Sequence, residues 1–108
     1  MAIRNDVVKQ NPSLPLAVFE AYSSAKQQMY TYLQATGWYK VSLPWLGQEL
    51  ESTRALMGDN YWPYGIEPNR KALEALFQYS HEQGLAKQKL EIEEVFHSST
   101  LALVEDGE

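Results

Sequence analysis

The sequence predicts a mainly α-helical chain, and three observations support this prediction. Apolar residues recur at helical spacing in three separate segments of the 108 residues. Proline and glycine stand where those segments would begin and end. Only the N-terminal stretch has the content of a β-strand, and a strand without a partner is not stable alone. This indicates a piece of a larger sheet-containing fold, or a chain that pairs with a second copy as a homo-dimer.

The first two predicted elements lie on either side of the sequence NPSLP. Residues 1–8 supply the single short strand. A helix is predicted over residues 14–36, because Ser13 can cap its first turn, Pro15 suits that turn and Gly37 can end it. The apolar residues of this helix recur at alternating spacings of four and three, and they define its predicted inner face: Val18, Tyr22, Ala25, Met29 and Tyr32.

Two more helices and a short, weakly defined fourth complete the prediction, over residues 46–57, 68–83 and 91–97. Residues 38–45 between the first and second helices are predicted to be irregular. Gly58 ends the second helix and Pro68 begins the third. Gly84 and Leu85 then predict a Schellman ending with its hydrophobic contact. The predicted inner faces are Leu46, Leu50, Thr53, Leu56 and Met57 in the second helix, and Leu73, Leu76, Phe77 and Ser80 in the third.

The composition excludes several classes of partner. The net charge is −5, from 9 Lys and Arg against 14 Asp and Glu, and no basic block is present. Nucleic acid and anionic membranes are therefore not expected as partners. The N-terminus lacks the apolar core of a signal peptide, and no segment approaches the length of a membrane span. A cytoplasmic location is expected.

Signatures of metal and nucleophile chemistry are absent from the sequence. His81 and His97 are the only histidines, and their spacing does not bring them to one ion. The chain has no cysteine, its serines lie in no nucleophile elbow, and its glycines are scattered rather than clustered for phosphate binding. We therefore expect no metal site.

The sequence GDNYWPYGIEPNRKALEAL places three large aromatic residues on a turn before the third helix. Tyr61, Trp62 and Tyr64 either fill the corner between two helices or form the wall of a ligand site. Arg70 follows in the first turn, where the helix dipole disfavours a cation, so it requires an anionic partner. That partner is either a neighbouring glutamate or the carboxylate of a ligand, which helix N–H groups would also favour.

Residues 55–85, ALMGDNYWPYGIEPNRKALEALFQYSHEQGL, resemble the C-terminal part of 4,5-dihydroxyphthalate decarboxylase and its close relatives. The core WPYGIEPNRKALE carries most of the resemblance, and the opening AIRNDVVKQNPSLP is also similar. The resemblance implies that residues 1–108 are a single C-terminal segment of a protein about three times longer. It also implies a type II periplasmic-binding-protein-like α/β fold with two lobes and a ligand cleft between them.

The implied reaction removes one carboxylate from 4,5-dihydroxyphthalate, giving 3,4-dihydroxybenzoate and CO2, without a metal or organic cofactor. The ligand is thus a small aromatic carboxylate. By this resemblance we expect Arg70, with Arg54 second, to hold the retained carboxylate. Trp62 and Tyr64 would desolvate the departing one, and Asn69 supplies a polar group beside them.

Asp59 or Glu67 is the expected acid or base of the reaction. Two other interpretations remain open at this point. One is a solute-binding protein of a transporter, which shares the fold and does no chemistry. The other is a self-associating helical module, which the unpaired strand favours. Release of CO2 distinguishes a decarboxylase from a solute-binding protein, and the mass in solution tests the self-associating helical module.

Overall fold

A computed structural model describes residues 1–35 and 42–105 of the chain. Within these ranges the structure is mainly helical, with three substantial helices, which confirms the predicted fold class. The β-structure of the described residues is one isolated antiparallel bridge, between Gly65 and Val104. The helices are α1 (Asn5–Gln10), α2 (Leu14–Gln34), α3 (Leu46–Met57), α4 (Arg70–Glu82) and α5 (Ile92–Val95), with 3-10 turns at Glu67–Asn69 and Ser98–Thr100.

Helix α1 stands where a strand was predicted over residues 1–8, so that prediction is wrong. Asp6 lies in its first turn and Lys9 in its last, which suits the helix dipole at both ends. The Arg4 side chain also pairs with Asp6 across 2.6 Å. Without a second strand in the described chain to pair with, local helical hydrogen bonds satisfy this backbone instead.

The ends of α2 differ in how far the structure tests them. Pro15 is buried in the first turn, as predicted, but the Ser13 side chain makes no capping hydrogen bond to a described residue. The helix is described to Gln34. The predicted end at residue 36, the stop at Gly37 and the first half of the irregular segment 38–45 lie outside the described residues.

The buried face of α2 is not the one predicted. Tyr22, Met29 and Tyr32 are 51%, 44% and 46% exposed, so their inward placement is wrong. Of the other predicted positions, Val18 is half-buried and Ala25 is exposed. The remaining half-buried side chains from Leu16 onwards form a neighbouring stripe, again at spacings of three and four: Leu16, Phe19, Ser23, Lys26, Tyr30 and Leu33. Most of the predicted apolar stripe therefore stays exposed.

Helix α3 shows a similar partial disagreement. Leu46, Leu50 and Thr53 are half-buried as predicted. Leu56 and Met57, in the last turn, are 86% and 59% exposed, so their inward assignment is wrong. These two residues lie in the last turn of the helix, just before the chain enters the next loop, and Met57 lines the cleft described below.

Helix α4 carries the small core of the molecule. Its Phe77 is buried with Ile66 and Ile92, and four partly buried residues pack around them: Leu73, Leu90, Phe96 and Leu101. Leu76, also predicted to face inward, is 58% exposed instead. The core thus lies between α4, the loop before it and the segment around α5.

The two ends of α4 follow the sequence closely. A 3-10 turn that contains Pro68 leads into the helix at Arg70. At the other end Gly84 has a left-handed φ of 73°, and the Leu85 N–H donates to the Ser80 carbonyl at 2.9 Å. This is the predicted Schellman ending. Leu85 is 79% exposed, so the hydrophobic contact expected with this ending does not bury its side chain.

The predicted fourth helix is shorter than expected, since α5 covers Ile92–Val95 within the predicted range 91–97. Glu91 and Glu94 form a capping box in which each side chain accepts the backbone N–H of the other residue. Two members of the acidic run in the sequence therefore cap a helix.

The molecule is extended for its length. The Cα radius of gyration is 17.3 Å, whereas a compact chain of this size would have a value of about 13 Å. Its accessible surface is 8744 Å², against roughly 6100 Å² for a compact monomer of the same mass. A large share of the apolar side chains is therefore not covered by the described chain.

Candidate functional site

The aromatic loop, residues 59–66, connects α3 to the 3-10 turn before α4. Gly58 begins it with a φ of 85°, and its N–H donates to the Arg54 carbonyl at 2.8 Å. The Tyr61 ring stacks on Tyr30 of α2, with ring centroids 4.7 Å apart and planes inclined by 27°. One of the three loop aromatics therefore packs against a helix, as the packing interpretation requires.

All three loop aromatics border an open cleft of about 740 Å³. Tyr64 is half-buried in its wall, and Trp62 stands at the rim with 68% of its surface exposed. Among the described residues, those that line this aromatic cleft include no charged side chain: Phe19, Met57, Tyr61, Trp62, Pro63, Tyr64, Gly65, Ile66, Pro68, Asn69, Ala72, Leu73, Leu76, Phe96 and Thr100. The cleft suits an aromatic ring better than an ion.

Four of the seven predicted site residues form two ion pairs outside this cleft. Arg54 Nε donates to Asp59 Oδ1 at 2.8 Å. Arg70 Nη2 donates to Glu67 Oε1 at 2.6 Å, and Glu74 lies 3.9 Å from its other terminal nitrogen. Each predicted cation is thus paired with a predicted acid or base.

Hydrogen bonding to Arg70 lowers the pKa of Glu67, and the same bond raises the pKa of Arg70. Both groups are accordingly charged at neutral pH. Glu67 can then accept a proton, but it has none to donate. Arg70 also borders a second, more polar cavity of about 410 Å³, together with Lys89, Glu91 and other charged residues.

Asn69 holds the aromatic loop in shape. Its side-chain amide donates to the carbonyl oxygens of Pro63, at 2.8 Å, and Gly65, at 2.9 Å. Both amide hydrogens are therefore occupied within the chain. Asn69 lines the cleft, and in this structure its amide binds the loop backbone, so its role in substrate binding stays a prediction.

A buried ion pair that the sequence analysis missed lies behind the cleft wall. The side chains of Lys26 and Glu105 are 8% and 10% exposed, and Lys26 Nζ donates to Glu105 Oε2. Nζ also donates to Asn60 Oδ1 and to the Trp62 carbonyl, both at 2.9 Å. Its charge lies 4.6 Å from the centre of the Tyr64 ring, within the range of a cation–π interaction.

Glu105 Oε2 accepts two further hydrogen bonds, from the Tyr64 N–H at 2.8 Å and from the Asn60 side-chain amide at 3.2 Å. Burial by itself raises the pKa of Glu105, but the hydrogen bonds from Lys26, Tyr64 and Asn60 outweigh it and leave the pKa below its usual value. The carboxylate is therefore ionised at neutral pH and can balance the buried ammonium group.

The only hint of this pair in the sequence is weak. Lys26 falls on the second helical stripe of α2, between Ser23 and Tyr30, where a lysine would normally be read as solvent-exposed. Glu105 belongs to the acidic end of the sequence, and such terminal segments are commonly poorly ordered in domains. Nothing in local spacing connects two residues that lie 79 positions apart.

Gly65 allows the segment that carries Glu105 to lie against the aromatic loop. Gly65 has a φ of 106°, and a Cβ atom there would lie 2.8 Å from the Leu103 carbonyl oxygen. The bridge between Gly65 and Val104 joins the two segments just before Glu105. The close approach of the Gly65 and Leu103 backbones and the Lys26–Glu105 ion pair therefore both hold the C-terminal segment against the aromatic loop.

No group of three or more His, Cys, Asp or Glu side chains in the described chain is arranged to hold a metal ion. Nor does any helix among the described residues have the length and apolar character that crossing a membrane demands.

Comparison with known proteins gives one informative relationship. No protein-family model matches the chain. Over 101 residues the chain is 32% identical to 4,5-dihydroxyphthalate decarboxylase of Comamonas testosteroni. This match covers 94% of the chain and 31% of that protein. The chain is therefore homologous to one part of that decarboxylase, as the resemblance predicted, and spans about a third of its length.

Proposed function

We propose that the chain is a segment of a decarboxylase for aromatic acids of the 4,5-dihydroxyphthalate type, with the aromatic cleft as one wall of the substrate site. The homology over 101 of 108 residues carries this proposal, because so long a match includes the aromatic loop. The apolar, open cleft beside that loop supports it, since a planar ring can stack on Trp62 and Tyr64.

The proposed chemistry breaks the bond between the ring and one carboxylate. A base takes the proton of the hydroxyl para to that carboxylate, which moves electron density to the ring carbon. The protonated base then returns the proton to that carbon, and CO2 leaves as the ring regains aromaticity. The resulting phenolate takes a proton from water. An apolar wall favours the loss of CO2 because it removes water from a carboxylate that becomes neutral CO2. Trp62 and Tyr64 are the proposed desolvating residues.

Arg70 is the proposed clamp for the retained carboxylate, with Arg54 as the second choice. Both arginines pair with acidic residues on the surface, and such exposed pairs contribute little stability. A substrate carboxylate could therefore replace Glu67 on Arg70 at small cost. The released Glu67, or Asp59 on the other pair, would then be the base.

The test is an assay of CO2 release from 4,5-dihydroxyphthalate, together with an amide NMR titration of the chain with the same compound. Binding should shift signals from residues 58–70, and Arg70→Ala should weaken it about tenfold, as expected for loss of a charged hydrogen bond. Lys71→Ala is the matched control, because it removes a neighbouring exposed cation. If Arg70→Ala binds like the parent chain, the clamp assignment is wrong.

A solute-binding function is the second candidate, and the composition of the cleft favours it. The described lining offers tyrosine hydroxyls, the Trp62 indole N–H, Asn69 and Thr100 as polar groups, with no carboxylic acid to protonate a ring carbon. Saturable binding of 4,5-dihydroxyphthalate without CO2 release would support this candidate over the decarboxylase.

Self-association is a further candidate, favoured by the exposed stripe of α2 that includes Tyr22 and Met29. A second copy of the chain is the proposed partner for this stripe. A light-scattering mass of twice the monomer, lost in Met29→Lys, would support it. A monomeric mass at all concentrations would count against it.

A further inference from the structure

The backbone of the aromatic loop is held mainly by side chains from elsewhere. The Trp62 N–H donates to the Tyr30 hydroxyl at 3.1 Å, and the Trp62 carbonyl accepts from Lys26. The Tyr64 N–H donates to Glu105. Because an irregular loop has no ladder of its own, such contacts determine where its backbone lies.

The two charged members of this network are nearly enclosed. Removing one partner of a buried ion pair leaves the other charge without compensation, which drives it toward water. Here that movement would affect the loop directly, since Lys26 and Glu105 each bond to its backbone and both contact Asn60. The loop cannot keep its position once either charge leaves.

The same network reaches the cleft through the Tyr64 ring. Lys26 Nζ lies 4.6 Å from the centre of that ring, and Tyr64 also lines the cleft. The cation therefore favours one orientation of the aromatic wall. Arg54 and Arg70, by contrast, are partly exposed, and the acidic residues with which they pair lie outside the cleft lining.

We infer that Lys26 and Glu105 are positioning residues, which fix the aromatic loop and thereby set the wall of the cleft. Their consequence for substrate binding rests on the proposed function. They act on the loop without touching the cleft volume themselves, since neither residue is among those that line it.

The experiment measures amide hydrogen exchange by NMR, residue by residue, in the parent chain and in Lys26→Met and Glu105→Gln. We expect the Tyr64 amide to exchange at least about tenfold faster in both variants, the loss expected for a charge-assisted hydrogen bond. Exchange at Phe77, in the core, reports the loss of global stability, and the acceleration at Tyr64 should exceed the acceleration at Phe77 by at least about tenfold. A general structural role would instead accelerate both amides equally, and that result would overturn the inference.

Matched controls are Gln28→Met on the exposed side of α2 and Glu93→Gln on α5, which should leave Tyr64 exchange unchanged. Should Lys26→Met fail to fold, the nearly isosteric Glu105→Gln decides. A parent-like Tyr64 rate in a folded Glu105→Gln chain would contradict the inference.

A titration with 4,5-dihydroxyphthalate separates this inference from the proposed function. If the parent chain binds, Lys26→Met should weaken affinity about tenfold, in line with the opened loop. A parent chain that does not bind would count against the proposed function, while the exchange rates would still decide the role of Lys26 and Glu105.

Discussion

The two stripes of α2 differ in a way that their composition does not predict. The stripe with Tyr22 and Met29 is apolar, yet about half of each side chain is exposed. The neighbouring stripe contains Ser23 and Lys26 and contacts the rest of the chain. Lys26 can lie in this covered stripe because a specific partner, Glu105, neutralises its charge.

This difference teaches that hydrophobicity indicates which surface is to be covered, but not by what. About half of the surface of Tyr22, Met29 and Tyr32 in the apolar stripe stays exposed, in a chain that spans about a third of its relative. The stripe with Lys26 meets partners that the chain itself supplies. The following predictions test that contrast, from the largest expected effect to the smallest.

Lys26→Met should lower the free energy of unfolding by about 3 kcal/mol, because it leaves Glu105 buried without its cation. Gln28→Met, on the exposed side of the same helix, should change it by less than about 0.5 kcal/mol. Urea denaturation followed by circular dichroism measures both. The double variant Lys26→Met/Glu105→Leu should recover much of the loss, since it removes both charges. Equal effects of Lys26→Met and Gln28→Met would show that the pair is not buried.

Acid should produce a smaller loss through the same pair. The pKa of Glu105 is lowered in the folded chain, so its contribution to stability is fully present above the unfolded value of 4.5. The contribution falls as the pH drops through the lower folded pKa. The loss is smaller than for Lys26→Met because a protonated carboxyl can still hydrogen-bond.

Urea denaturation at several pH values below neutrality measures this effect. Exposed carboxylates such as Asp6 and Glu67 also have lowered pKa values and change stability in the same direction. Glu105→Gln isolates the buried group, since its profile should be flatter than that of the parent. Superimposable profiles would contradict the assigned role of Glu105.

Tyr30→Phe should cost about 1 kcal/mol of unfolding free energy, because the Trp62 N–H loses its acceptor. Tyr22→Phe removes a hydroxyl from the exposed stripe. That hydroxyl makes a weak contact with the Met1 sulfur at 3.6 Å. This substitution should be nearly neutral. A Tyr22→Phe cost as large as that of Tyr30→Phe would mean that the two stripes are equally engaged.

Met29→Ser should have the smallest effect on the isolated chain, within about 0.5 kcal/mol, because the side chain is 44% exposed. If a second copy covers the stripe, the same substitution should weaken association. Denaturation at low and high protein concentration separates the two effects, since only the second depends on concentration.

The sequence predicted the helices well where local signals decide the structure. The Schellman ending at Gly84 and the start of α4 near Pro68 follow from the conformational preferences of single residues. The inner face of α2 could not be predicted, because the covering surface is not set by the helix itself. Residues 1–8 were misassigned for a related reason: a strand needs a partner, and a helix does not.

The candidate site divides in the same way. The aromatic loop was recognisable from Tyr61, Trp62 and Tyr64, and the structure places all three on the cleft. The pairing of Arg70 with Glu67 was one of the alternatives that sequence spacing allowed. Lys26 and Glu105 were not recognisable, because their contact depends on long-range chain folding rather than on spacing.

The packing of the Glu105 segment on the aromatic loop at Gly65 should be detectable by mutagenesis alone. A residue with any larger side chain would force the Leu103 carbonyl away from the loop and carry Glu105 with it. A saturation library read out by function should thus be intolerant at a position that contributes no side-chain contact of its own. Within such a library, the damage of each Gly65 replacement should shrink when Lys26 and Glu105 are already apolar, a pattern of epistasis that traces this packing without a structure.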